Sequence, residues 1–253
     1  MNLPPFAVPR QESIALFVVI LIAVTTTSLA GIHLARRSVD RTVAYAMTVL
    51  LWMAATGTYV AIGVTESVQG LVGFLAISNL GAIVLGLSPV GRWWATGLPL
   101  WSLVAFQGFR LPLELVLHWW VEDGTIPETM TWTGSNIDII SGLVAIVAAP
   151  FARRRAVAWF ANILGIVLLA NVMRVALLSS PVPFGWNVSP PLTLALHLPY
   201  AWIAPICVGG ALCGHIVLTR ALLMRGRHDG MEPYRDPPAI RSQSPHTRPA
   251  MEA

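Results

Sequence analysis

Residues 13–34 read Ser13-Ile-Ala-Leu-Phe-Val-Val-Ile-Leu-Ile-Ala-Val-Thr-Thr-Thr-Ser-Leu-Ala-Gly-Ile-His-Leu34, twenty-two positions without a formal charge. An α-helix rises about 1.5 Å per residue, so about 20 apolar residues cross a hydrocarbon core of about 30 Å. This stretch is long enough to span a bilayer. It exceeds the core of a signal peptide, about 7 to 15 residues, and the cluster Arg36, Arg37 and Arg41 follows it instead of preceding it. It reads as a retained anchor. Six further apolar stretches lie at 42–64, 68–88, 95–121, 137–151, 156–179 and 193–218. The expected fold class is all-α: a polytopic transmembrane helical bundle of about seven spans over residues 1–224. Residues 225–253, rich in Pro, Arg, Ser, Asp and His, are expected to be a disordered cytoplasmic tail.

Composition agrees. Of 253 residues 55% are hydrophobic and 11% charged, against roughly 25% charged in a soluble domain. All 16 basic residues are Arg. The absence of Lys excludes amine nucleophiles, Schiff bases to retinal or pyridoxal phosphate, and a phosphate-loop Lys. The pI near 9.7 does not point to nucleic acid, because the arginines flank apolar segments and form no basic face interleaved with aromatics. Membrane lipids are the expected partners. Cys207 and Cys213 stand six apart in one apolar segment, beyond disulfide reach on a single helix.

Orientation follows from the connections. Arg36, Arg37, Arg41, Arg92, Arg153, Arg154, Arg155 and six arginines from Arg220 onward fall on one side, thirteen in all, while Arg10 alone falls on the other. The positive-inside rule then places the N-terminus outside and the C-terminus in the cytoplasm, with loops 122–136 and 180–192 outward. The Trp93-Trp94 and Trp119-Trp120 pairs read as interface anchors. Arg and Ala usage without Lys suits a GC-rich bacterial genome, hence a multi-pass protein of the cell inner membrane.

Polar residues inside apolar spans carry the functional information, since an ionisable group at bilayer depth costs about 2.5 to 3.5 kcal/mol on insertion scales. Gln107, Arg110, Glu114 and His118 are spaced 3, 4 and 4 apart, an arc of roughly 80° on one helical face. Arg110 and Glu114, at i and i+4, can neutralise each other. Pro112 between them is expected to kink the helix and free the carbonyl of Gly108. Depth arguments add Asn136 and Asp138 at the start of the fifth span, Asn171 and Arg174 in the outer half of the sixth, and His197 at the start of the seventh. Convergence of these groups beneath the outer surface is the expected site. Two plainer roles stand beside it: Arg110 with Glu114 as packing glue, and Arg174 reaching for headgroups. His33 and His215 fall near the cytoplasmic interface, where a solvated or hydrogen-bonded histidine is the default.

The run Leu169-Ala-Asn-Val-Met-Arg-Val-Ala-Leu-Leu178 resembles the Asn-x-x-Arg helix of the exosortase and archaeosortase family, polytopic membrane transpeptidases. The resemblance implies that Arg174 and His197 act at the outer face. The family's catalytic Cys has no counterpart here: its expected region reads Trp132-Thr-Gly-Ser-Asn-Ile-Asp138, and both cysteines lie in the last span. A second resemblance, through Phe106-Gln-x-Phe-Arg-x-Pro-x-Glu-Leu-x-Leu-His118, Gly124-x-Ile-Pro-x-x-Met-Thr131 and Gly134-x-Asn-x-Asp-Ile139, is to a family of uncharacterised bacterial integral membrane proteins.

Three function classes compete. An outer-face enzyme, peptidase or transpeptidase-related, uses Glu114 or Asp138 as base, His118 or His197 as acid or base, and Arg174 to stabilise negative charge, with Gln107, Arg110, Asn136 and Asn171 holding a peptide or small molecule. Ser135 and Thr133 are its only nearby hydroxyl nucleophiles. A small-molecule or proton-coupled transporter uses the same groups to bind an anion or relay protons. A haem protein uses His118 and His197 as axial ligands; no motif supports it, so no cofactor and no metal site is expected.

Overall fold

The computed structural model describes residues 4–229. Among these the chain is helical, without a strand, in the order α1 (Gln11–Arg36), α2 (Val39–Ala61), α3 (Val68–Leu87), α4 (Pro89–Gly97), α5 (Leu100–Phe106), α6 (Arg110–Glu122), α7 (Ile139–Ala148), α8 (Arg155–Ser179) and α9 (Gly209–Asp229). Serines set several starts. Ser67 accepts from the Gly70 N–H (3.0 Å), and Ser88, followed by Pro89, accepts from the Val90 N–H (3.1 Å), each satisfying a donor that a helix N-terminus leaves free.

Among the described residues six helices are long and apolar enough to cross a membrane: Gln11–Arg36, Val39–Ala61, Val68–Leu87, Leu100–Glu122, Arg155–Ser179 and Tyr200–Arg225. The seventh stretch, expected at 137–151, is shorter. Its helix is Ile139–Phe151, with a 3-10 turn over Ala149–Phe151, and it stops before Arg153 to Arg155. Large apolar side chains face outward from the bundle, including Met47 at 62% exposure, Leu51 at 71% and Phe160 at 61%. A surface of this kind is compatible with lipid, not with water.

The last span occupies the centre and packs on α3, α4, α5 and α8. Its contact with α3 is close because Ser78, Ala82 and Gly86, four apart, present a small-residue face; a Cβ on Gly86 would meet the Ile216 side chain at 3.0 Å. The span is irregular at its start, with a 3-10 turn at Tyr200–Ile203 and a π turn at Ala204–Val208 around Pro205. At the other end Arg220 donates to the carbonyls of Gly86 (2.5 Å) and Ser88 (3.0 Å), and Arg225 to that of Leu98 (2.6 Å). Gly86 and Leu98 lie at helix C-terminal ends, where carbonyls are left over, while the Ser88 carbonyl also accepts from the Arg92 N–H (3.1 Å). The helix continues to Asp229, past the expected start of the tail at 225; residues 230–253, the rest of that tail, lie outside the described residues.

The fourth span divides as Pro112 predicts. A proline at 112 has no N–H, and its ring crowds the carbonyl of Gly108. The chain answers with a 3-10 turn at Gln107–Phe109 between α5 and α6. The segment that follows α6 is no free loop. It turns at Gly124 (φ 71°), returns N–H bonds from Thr125 and Ile126 to the Trp120 carbonyl (2.8 and 3.3 Å), and buries Ile126, Met130, Thr131 and Asn136 against the bundle. Trp120 departs from the anchor role expected of it. It is 0% exposed, its indole N–H donates to Ser13 Oγ (3.0 Å), and its ring meets Phe17 and Tyr200 edge-on.

Candidate functional site

Arg110 opens α6 halfway along the Leu100–Glu122 span, ten residues from one end and twelve from the other. It is 2% exposed. Its partner is Asp138, not Glu114: Nε donates to Oδ2 (2.6 Å) and Nη2 to Oδ1, a two-pronged pair across 28 residues of sequence. The expectation that Arg110 and Glu114 neutralise each other is therefore corrected. The returning segment delivers Asp138 to the face of α6 on which Arg110 lies, and the planar guanidinium fork matches a carboxylate end-on. Ser141 Oγ donates to Asp138 Oδ1 (2.8 Å) from the first turn of α7.

Glu114 lies one turn further on and is also 2% exposed. Asn136 connects it to the pair: its amide nitrogen donates to Glu114 Oε1 (2.9 Å) and to the Met130 carbonyl (3.0 Å), and its amide oxygen accepts from the Asp138 N–H (3.1 Å). One side-chain amide thus ties the Glu114 carboxylate to the backbone of Asp138. Glu114 Oε2 has no partner among the described residues.

On its other side Arg110 reaches α8 and α9. Nη1 donates to the Gly165 carbonyl (3.2 Å) and lies 3.1 Å from His215 Nε2, while His215 Nδ1 lies 2.9 Å from Asn162 Oδ1. Asn162 Nδ2 donates to Thr219 Oγ1 (2.7 Å), which donates to the His215 carbonyl (2.8 Å). These contacts fix one tautomer. A guanidinium can only donate, so Nε2 accepts and the ring proton sits on Nδ1, directed at Asn162. His215 is 1% exposed, which corrects its expected place at a watered interface. The span runs to Arg225 instead of ending near 218, so His215 falls ten residues from its end. Two glycines admit the network: a Cβ on Gly165 would stand 2.3 Å from His215 Cε1, and one on Gly214 would stand 2.5 Å from Gln107 Nε2.

The structure brings together Gln107, Arg110, Glu114, Asn136 and Asp138 among the expected residues, and adds Ser141, Asn162, His215 and Thr219. Gln107 is 3% exposed and donates from Nε2 to the Ala211 carbonyl (3.2 Å). The remaining expected residues have other partners. Asn171 donates to the Ser135 carbonyl (2.9 Å) and accepts from Arg174 Nη2 (2.9 Å); the guanidinium of Arg174, an exposed residue, lies over Trp186 with 5.5 Å to the ring centroid. His118 is half-buried, stacks on Trp132 (4.3 Å between centroids) and has Nε2 3.7 Å from Glu122. His197 packs on Phe6 (4.0 Å). The two histidines thus sit against different aromatic rings. Among the described residues no group of three or more His, Cys, Asp or Glu side chains gathers to hold a metal.

What can this arrangement do? A buried guanidinium, two carboxyls and an imidazole, linked by amides and hydroxyls, can hold a charged ligand or exchange a proton; none of its members is a recognisable activated nucleophile. That chemistry has to be read from the geometry itself, because no family model matches the chain and no similar curated protein or solved structure is found.

Proposed function

We propose that this protein is a multi-pass protein of a bacterial inner membrane, N-terminus outside, that carries a small solute across the bilayer coupled to proton movement. The carrying observation is the placing of two buried acidic residues, Glu114 and Asp138, beside Arg110 in the middle of the bundle, with Asn136 bonded to the Glu114 carboxylate and to the Asp138 backbone N–H. Ionisable groups kept at such depth mark ion or substrate paths more often than scaffolding. Glu114 Oε2, buried and without a partner, is where a proton or a ligand donor is received. Asn136 passes any displacement of Glu114 to Asp138 and so to Arg110. The helix break at Gln107–Phe109 and the short α7 give this region the irregular backbone that membrane carriers place around their sites.

The test is solute-evoked proton movement in proteoliposomes that enclose a pH-sensitive dye, with amino acids, sugars and organic acids offered in turn. At least one solute class should acidify or alkalinise the lumen with the parent protein, and Glu114→Gln, still folded, should abolish the response. Silence of the parent toward every class, or a fully active Glu114→Gln, overturns the reading.

One observation favours a second reading, an exosortase-like role with a peptide at the outer face: Asn171 fixes the exposed Arg174 guanidinium, which is then free to meet a peptide carboxylate. Against it, Arg174 and His197 share no contact partner. Cleavage or transfer of a peptide that is lost in Arg174→Lys would support this reading over transport.

A further inference from the structure

A small space lies where α5, α7, α8 and α9 meet, with Gln107, Arg110, Ser141, Ala145, Gly165 and His215 on its walls. Its volume is about 10 Å³, at the lower limit of the room a single water needs. Four of the wall residues are polar, and Gln107, Arg110, Ser141 and His215 are all 5% exposed or less.

Donor arithmetic points the same way. A guanidinium has five N–H groups. Four of those on Arg110 are engaged: Nε and one Nη2 hydrogen with Asp138, and the two on Nη1 with the Gly165 carbonyl and His215 Nε2. The second Nη2 hydrogen remains. Gln107 presents the converse: its Nε2 donates to the Ala211 carbonyl, while its Oε1 is buried with no donor among the described residues. Ser141 Oγ donates to Asp138 and keeps lone pairs to accept. One donor is in excess, two acceptors lack a donor, and one water-sized space adjoins all three side chains.

We infer that the protein binds a single structural water between Gln107, Arg110 and Ser141. The water accepts from Arg110 Nη2 and donates to Gln107 Oε1 and Ser141 Oγ, three hydrogen bonds, the usual number for a buried water. It ties the 3-10 break of the fourth span to α7 and to the Arg110–Asp138 pair, supplying Gln107 Oε1 with the donor that the protein chain does not. The inference is independent of the transport reading: a water bound here is equally required if the network serves only to hold the helices together.

The parent protein in lipid nanodiscs decides the matter. A structure at a resolution that shows ordered water should have a peak within about 3 Å of Gln107 Oε1 and of Arg110 Nη2; an empty space, or Gln107 Oε1 bonded directly to a protein donor, overturns the inference. Radiolytic hydroxyl labelling gives a second measure that needs no variant. Leu218, on the wall of the space, is 1% exposed and Leu222, one turn away on α9, is 0% exposed. Hydroxyl radicals formed from a bound water should oxidise Leu218 several-fold more than Leu222. Equal labelling of the two overturns it. In Gln107→Leu, which removes both the acceptor and the reason for water to stay, the excess at Leu218 should vanish; an undiminished excess in that variant also overturns it.

Discussion

Arg110 with Asp138 and Arg10 with Asp123 are the same chemical pair in opposite surroundings. In each, a guanidinium meets a carboxylate through Nε: 2.6 Å to Asp138 Oδ2, and 2.8 Å to Asp123 Oδ1, where the Arg10 backbone N–H adds a bond of 2.9 Å to Oδ2. The side chains of the first pair are 2% and 6% exposed and those of the second 41% and 16%. Water screens the outer pair and replaces either partner when the other is lost. Nothing replaces a partner in the inner pair. Bonds of similar length therefore carry very different consequences, and burial ranks them.

The sharpest way to break the comparison is Asp138→Asn. It strands Arg110 in the bundle and should cost about 3 to 5 kcal/mol, read as a large drop in thermal midpoint in nanodiscs. Adding Arg110→Gln to that variant removes the stranded charge and should recover a substantial part of the loss. If Asp138→Asn melts like the parent, the pair is reached by water and the contrast collapses. Next in size is His215→Phe, which leaves one Arg110 N–H and the Asn162 carbonyl oxygen without partners. A cost of about 1 to 3 kcal/mol follows from unmaking buried hydrogen bonds of this kind, again by thermal unfolding.

Asp123→Asn should have the smallest effect, a midpoint close to the parent's at physiological salt and a difference that shrinks as salt rises. Its sign with pH is also fixed. The hydrogen bond from the Arg10 guanidinium holds the Asp123 carboxyl below its usual value of 3.8. A lowered folded value contributes stability above the unfolded value and loses it as pH falls through the folded one. The gap between parent and Asp123→Asn should therefore be present at pH 7 and close as pH drops below about 4. A gap that widens in acid would contradict the pairing.

Much of the fold and part of the site are legible in the sequence through local pattern. The 3, 4, 4 spacing of Gln107, Arg110, Glu114 and His118 places the polar stripe, and Pro112 places the break in the span. Long-range choices are not legible. The i, i+4 rule offers Glu114 to Arg110, while the actual partner comes from 28 residues away on a returning segment whose course no local rule gives. His215 reads as an interface residue because the arginines at 220 and 225 suggest an early end to the last span. In the folded chain they reach back to carbonyls of Gly86, Ser88 and Leu98, so the helix continues past them. Trp120 misleads for a related reason: a tryptophan near a helix end is an anchor only if the next segment leaves it exposed, and here that segment covers it.

The thirteen residues of Ile139–Phe151 have a consequence for the membrane itself. At about 1.5 Å per residue they reach roughly 20 Å, some 10 Å less than a typical hydrocarbon thickness. Hydrophobic mismatch of that size costs a fraction of a kcal/mol per Å when lipid must deform to meet it. The returning segment takes up the shortfall by stacking Asn136 and Asp138 above the first turn of α7. Irregular backbone thus replaces helix over the missing length, and it is tolerated at that depth because Asn136 and Asp138 are buried against the bundle instead of facing lipid.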